Sequence, residues 1–156
     1  MKAFTVSLFG HREIDTIREL ENLLALTIKE LMRAKSYVIF LVGRNGEFDE
    51  YAASVIKRVQ KEVGKEKSEI ILVLPYKVAD VGYYEKYYDN IIIPDGIERA
   101  HPKAAITLKN RWIIKQSDLV IVYLKQNRGG AYTAAKYAEK LNKKVINLYG
   151  KESLFS

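Results

Sequence analysis

The sequence predicts an α/β fold of the Rossmann-like, doubly wound kind, a mostly parallel sheet with helices on both faces. Two observations carry that expectation. Short runs rich in Val and Ile alternate with longer stretches whose apolar residues recur at helical spacing, the pattern of buried strands joined by crossover helices. Glycines mark the junctions where an apolar run gives way to a helical stretch, at Gly10, Gly43, Gly46, Gly129 and Gly130. The 156 residues can bury a core, and one domain spanning 1–156 is expected.

Residues 4–9, Phe-Thr-Val-Ser-Leu-Phe, make a first strand ending at Gly10-His11-Arg12. From Asp15 to Ala34, Ile17, Leu20, Leu24, Ile28 and Leu31 recur at helical spacing, with Asp15 or Thr16 as cap. Residues 37–42 form a second buried strand, followed by Gly43-Arg44-Asn45-Gly46-Glu47-Phe48-Asp49 and a helix reaching Val63. Glu69 to Leu74 is the third strand. Residues 75–101 are less regular, with five tyrosines (Tyr76, Tyr83, Tyr84, Tyr87, Tyr88) and a short strand at 91–93. Pro102 suits the first turn of a helix running to Gln116. A strand at 119–124, a helix from Ala131 to Leu141 and a last strand at 144–148 complete the chain.

Composition excludes several function classes. No cysteine occurs, so there is no disulfide framework and no thiolate chemistry. His11 and His101 are the only imidazoles, and no metal site or cofactor is expected. Met1-Lys2-Ala3-Phe4 runs directly into a strand rather than a signal peptide. No stretch approaches the roughly 18 apolar residues of a membrane helix, so a cytoplasmic protein is expected. The formal charge of +7 favours anionic partners, although the excess lies mostly on solvated positions such as Lys57, Arg58, Lys61, Lys65 and Lys67. A duplex-binding protein would show a contiguous basic helix or arm.

In a doubly wound sheet, ligands sit beyond the carboxyl ends of the strands, near the reversal in strand order. Three strand ends should therefore converge. One carries Gly10, His11 and Arg12; the second carries Gly43, Arg44, Asn45, Gly46, Glu47 and Asp49; the third carries Asn127, Arg128, Gly129, Gly130, Tyr132 and Thr133. Helix N-termini and arginines at one rim suit a phosphate-bearing ligand. His11 and Arg12 contact phosphate or ribose, or else cap the loop. Glu47 and Asp49 cap the second helix, hold a sugar hydroxyl, or act as a general acid–base. Arg111 neutralises phosphate or pairs with a surface carboxylate, while Trp112 reads as core. The tyrosines of 76–88 form a lid stacking on a base, or a subunit interface.

In their order along nearly the whole chain, Phe9-Gly10-His11-Arg12, Val42-Gly43 through Asp49, Leu74-Pro75-Tyr76, Asn110-Arg111-Trp112, Ser117-Asp118 and Gly129-Gly130-Ala131-Tyr132 resemble the small SLOG-family proteins of bacteria and phages. That superfamily includes the Lonely-guy phosphoribohydrolases, DNA-processing proteins and sensor domains of bacterial defence systems. The resemblance implies a Rossmann-like fold, a nucleotide-like ligand at the three strand ends and a homo-oligomer, dimer or tetramer. The Lonely-guy type carries proline-glycine-glycine, then glycine-threonine and a catalytic glutamate. Here Gly129, Gly130 and Thr133 match, but Arg128 replaces the proline, Tyr132 replaces the later glycine, and the glutamate position falls on Lys136.

The leading expectation is a binder or sensor of a nucleotide or nucleotide-derived signal, ADP-ribose-like or a cyclic nucleotide, with Gly10, Arg12, Gly43, Gly46, Gly129 and Gly130 as the phosphate floor. In a phage setting, such binding would sequester a host defence signal. One alternative is an N-glycosidic-bond hydrolase or transferase with Glu47 or Asp49 as the catalytic carboxylate. Another is single-stranded nucleic-acid binding through the positive charge and the tyrosines.

Overall fold

The computed structural model describes residues 2–151. The expected bounds of 1–156 run past these at both ends, and Met1 of the expected N-terminal run lies outside the described residues. The order is β1 (Phe4–Gly10), α1 (Ile17–Ala34), β2 (Val38–Val42), α2 (Glu47–Val63), β3 (Ser68–Val73), α3 (Val81–Tyr87), β4 (Asn90–Ile92), α4 (Pro102–Gln116), β5 (Leu119–Tyr123), α5 (Gly130–Lys140) and β6 (Lys144–Asn147). The described strands form one sheet in the order β4-β3-β2-β1-β5-β6, and every pairing is parallel. The Rossmann-like, doubly wound architecture expected from the sequence is thus the one observed. Its order reverses between β1 and β5, which places the switch point at Gly10 and Tyr123.

Alternation along the strands builds two cores. Val6 and Leu8 of β1, with Leu119, Ile121 and Tyr123 of β5, face α1 and α2. Phe9, Val120, Val122 and Leu124 face α4 and α5. On α1, Leu20, Leu24, Ile28 and Leu31 make the buried stripe that the spacing predicts. The helix starts two residues after Asp15, with Thr16 at the cap position but no side-chain cap bond. The Thr16 hydroxyl instead meets the Tyr123 hydroxyl at 2.6 Å. Pro102 opens α4 as expected, with His101 Nδ1 accepting from the Lys103 amide. Ser117 and Asp118 have structural work: Ser117 Oγ donates to the Ile113 carbonyl, and an Asp118 carboxylate oxygen accepts from the Thr5 amide.

Most expected bounds fall within a residue of those observed; β3 begins at Ser68 and α5 at Gly130, each one residue early. The stretch read as irregular contains α3, seven residues with none buried, so no apolar stripe announces it. The adjoining strand begins one residue earlier than expected, at Asn90.

The tightest packing lies at the end of β1. A Cβ at Gly10 would overlap the Phe48 ring of α2, and Phe48 is 1% exposed. Because that neighbour is a buried ring base, it has no room to yield. Gly10→Ala is expected to destabilise the fold by about 1–3 kcal/mol, measured as a lower urea midpoint with an unchanged m-value.

Candidate functional site

A cleft of about 1180 Å³ opens over the carboxyl ends of β1, β2 and β5. Its first wall is the β1–α1 loop, fastened to the start of α2. A Cβ at Gly46 would come within 2.6 Å of the Arg12 Cα, so the two backbones approach as only glycine permits. The Glu47 amide donates to the Arg12 carbonyl at 2.9 Å, and Glu47 Oε2 accepts from the Ile14 amide at 2.7 Å. Glu47 thereby holds the loop that carries His11 and Arg12.

His11 bridges the switch point. Its Nε2 accepts from the amides of Lys125 and Gln126, each at 3.1 Å. That atom is therefore unprotonated, and the neutral ring carries its proton on Nδ1. Burial and then the nearby Arg128 charge lower the His11 pKa from 6.5. Lys125 also pairs with Asp15 at 2.9 Å across the mouth.

The second wall is the start of α5. Gly129 sits at φ 92°, in the left-handed region, and the helix has no side-chain cap. The first backbone bond of the helix runs from the Thr133 amide to the Gly129 carbonyl, and Thr133 Oγ1 donates to the same oxygen. The amides of Gly130, Ala131 and Tyr132 precede that bond and are the orphan donors of the helix end. A Cβ at Gly130 meets nothing within 4 Å, so open space lies above these donors. Arg128 stands beside them, its Nε donating to Gln126 at 2.7 Å.

The floor is Gly43, flanked by Asp49 and Lys109. A Cβ on Gly43 would lie 2.9 Å from Lys109 Nζ and 3.2 Å from Asp49 Oδ2. Asp49 Oδ2 accepts from the Asn45 amide at 2.8 Å, and burial raises the Asp49 pKa against that bond and the Lys109 charge. Lys109 is 2% exposed and makes no hydrogen bond or ion pair among the described residues. Burial lowers its pKa to about 8, with Asp49 opposing the shift and Arg44 adding to it. The next residue, Asn110, has its Oδ1 buried without a partner among the described residues. The cleft is bipolar: Arg12, Lys103, Lys109, Lys125 and Arg128 line it together with Glu13, Asp15, Glu47 and Asp49.

Of the residues singled out from the sequence, Gly10, His11, Arg12, Gly43, Asn45, Glu47, Asp49, Arg128, Gly129 and Gly130 line this cleft. Arg44, Gly46, Tyr76, Arg111, Tyr132 and Thr133 lie outside the lining. Arg44 turns to α3, its Nη1 donating to the Tyr84 hydroxyl at 3.4 Å and its guanidinium over that ring. Arg111 stacks over Tyr137 of α5, and Trp112 packs against the α4–α5 core. The other α3 tyrosines cluster among themselves.

Sequence reasoning missed Lys109. The signal existed: Ala105, Lys109 and Ile113 recur at a spacing of four along the buried side of α4, so a cation interrupts an apolar stripe.

Two outcomes follow from these shifts. His11 has a folded pKa below its unfolded value, so its contribution is complete above pH 6.5 and is lost as pH falls through the folded pKa. Hydrogen exchange at the Lys125 and Gln126 amides is expected to speed up in that acid window, after correction for intrinsic exchange, and His11→Ala removes the transition. Lys109→Met removes an unpaired buried charge and is expected to raise the thermal midpoint, by about 2–4 °C per kcal/mol gained.

No family model and no curated protein matches the sequence. Solved structures do match in fold. DNA processing protein A from Streptococcus pneumoniae aligns over 91% of this chain and 49% of its own, at 16% identity and a TM-score of 0.67. The Helicobacter pylori protein of that name, described for its single-stranded DNA binding mode, aligns over 91% and 63%, at 19% identity and 0.63. A molybdenum cofactor binding protein from Rippkaea orientalis aligns over 94% and 77%, at 22% identity and 0.61. The chain spans about half the length of the pneumococcal protein. At these identities the likeness establishes the Rossmann-like fold alone. No helix among the described residues is long and apolar enough to cross a membrane.

Proposed function

We propose, from the Rossmann-like fold and the resemblance of the ordered motifs to SLOG-family proteins, that the protein binds a nucleotide or nucleotide-derived molecule in the cleft at the β1–β5 switch point. One observation carries the reading: the uncapped start of α5, under open space, faces the same cleft as Arg12, Lys103, Lys109 and Arg128. Such a helix end favours an anion by roughly 0.3–1 kcal/mol, more when partly buried, and charge-assisted bonds from arginine add to it. The carboxylates interleaved with these cations accept hydroxyl donors, which suits a ribose. An ADP-ribose-like molecule or a cyclic nucleotide carries both kinds of group, and two such ligands are the finer form of the proposal. The fold neighbours bind a molybdenum cofactor in one case and single-stranded DNA in another, which supports an anionic ligand without choosing among anions.

The test is a nucleotide panel read by thermal shift, with the bound species then identified by mass spectrometry. Recovery of intact ligand is the expected result. Gly130→Ala is the diagnostic variant, because its methyl enters space empty of protein. It is expected to fold with unchanged or higher stability while weakening binding by about tenfold, ~1.4 kcal/mol. A panel without a single shift, or undiminished binding by Gly130→Ala, would sink the reading. Steeply salt-dependent affinity for oligonucleotides alone would replace it with nucleic-acid binding.

A second reading has its own observation. Asp49 is a carboxyl whose pKa is raised by burial, next to an unpaired lysine, and such perturbed pairs suit acid–base work on an N-glycosidic bond. Release of free base and sugar phosphate, abolished in Asp49→Asn, would make the protein that enzyme.

A further inference from the structure

The amine of Lys109 is not explained by anion binding alone. A lysine on the surface keeps its ammonium in water. A lysine in a core is paired, because an unpaired buried charge is costly. Lys109 is intermediate: its stem is buried and its amine opens only on the cleft. It projects from the buried stripe of α4, 2% exposed, without a partner among the described residues, and ends against a residue that has no side chain. Asp49 ends against that same glycine, with Oδ2 3.2 Å from the position a Cβ would take, yet the two groups form no ion pair among the described residues. They face a common gap that the cleft reaches.

We propose that Lys109 is an amine nucleophile that captures the aldehyde of a phosphorylated sugar in this cleft as a reversible imine, with the Asp49 carboxyl moving the protons. The inference rests on the anion-binding reading of the same cleft, which supplies the site for the phosphate. A desolvated lysine near a second cation is the usual form of an activated amine, and here Arg44 of the β2–α2 loop is that cation. The lowered pKa, about 8, leaves a substantial share of free amine in mildly alkaline solution. Asn110 Oδ1, buried and unpartnered, is an acceptor awaiting a hydroxyl, and a sugar offers several.

The step balances without a further reagent. The Nζ lone pair forms the bond to the aldehyde carbon, and the carbonyl π pair moves to oxygen. A proton passes from Nζ to that oxygen through the Asp49 carboxyl, which gives a neutral carbinolamine. Asp49, in its acid form, then protonates the hydroxyl. The C–O bond breaks, water leaves, and the nitrogen lone pair closes the C=N bond to an iminium facing the Asp49 carboxylate. Nothing is oxidised or reduced, and hydrolysis reverses the sequence.

The experiment uses ribose 5-phosphate as the aldehyde, cyanoborohydride as an external trap, and peptide mass spectrometry to locate the adduct. The expected result is a saturable adduct on Lys109, about tenfold above that on exposed lysines such as Lys61 and Lys136. Its rate should rise as pH increases through about 8, and Asp49→Asn should slow it. Ribitol 5-phosphate, which has no carbonyl, should compete. Lys109→Arg should lose the adduct while keeping the parent's far-UV circular dichroism and cooperative unfolding, which separates capture from folding. Adducts spread evenly over exposed lysines, or persisting undiminished in Lys109→Arg at the same total yield, would overturn the proposal. A ribitol 5-phosphate shift without a Lys109 adduct overturns the imine and leaves the binding reading standing. A Lys109 adduct that no phosphorylated compound shifts or competes overturns the binding reading and leaves a reactive lysine.

Discussion

The Phe48 ring occupies the volume that a side chain at position 10 would fill, and the geometry of the cleft follows from that contact. Phe48 is the second residue of α2, so its seat over Gly10 fixes how closely the helix start approaches the end of β1. The same ring stacks on Tyr123 of β5, with centroids 6.4 Å apart and planes 13° from parallel. Tyr123 in turn meets Thr16 at the head of α1. One aromatic side chain therefore ties two helix starts to the two strands that flank the switch point. Gly46 repeats the device one loop away, where the Arg12 backbone comes too close for any Cβ. Both contacts involve backbone or a buried ring, which leaves the loops little freedom to drift.

That rigidity makes the electrostatics of the cleft consequential. Groups held on fixed elements cannot swing together to neutralise each other, so Lys109 and Asp49 stay apart at the Gly43 floor although they carry opposite charges. Burial then acts on both, raising one pKa and lowering the other, and each is drawn toward its neutral form. His11 shows the complementary case. Its two accepted hydrogen bonds come from the backbone of the β5–α5 loop, so its neutrality is a condition of how the rim is assembled.

The fold was legible in the sequence because its strands are short apolar runs and its two longest helices, α1 and α2, carry continuous stripes. The helix from Pro102 to Gln116 was readable to the residue, since proline marks its start and the following strand bounds its end. By contrast, α3 has no fully buried residue, with only Tyr87 packing on the core, so there was no stripe to read. The convergence of strand ends was legible too, because chain order and parallel pairing force it. Side-chain direction was not. Arg44 sits between two cleft residues and points away to Tyr84, and Arg111 lies two residues beyond Lys109, on a different side of the same helix. Glycine and arginine drew attention as phosphate-binding types, whereas Lys109 was marked only by its place in an apolar stripe.

The tyrosine cluster of α3 acquires a meaning through Arg44 that neither a lid nor an interface requires. Tyr84 holds the Arg44 guanidinium by its hydroxyl and its ring face, 5.5 Å from the ring centre, and Tyr84 is itself set by Tyr83 and Tyr88. After burial and against Asp49, the Arg44 charge is the remaining influence that disfavours a proton on Lys109. A contact outside the cleft thus bears on the charge at its floor. A ligand or partner that drew Arg44 off Tyr84 would change the charge balance at Lys109 without touching the lysine. Arg44 is thus shared between the two places: its guanidinium rests on Tyr84 beside α3, and its charge disfavours the proton on Lys109 at the Gly43 floor.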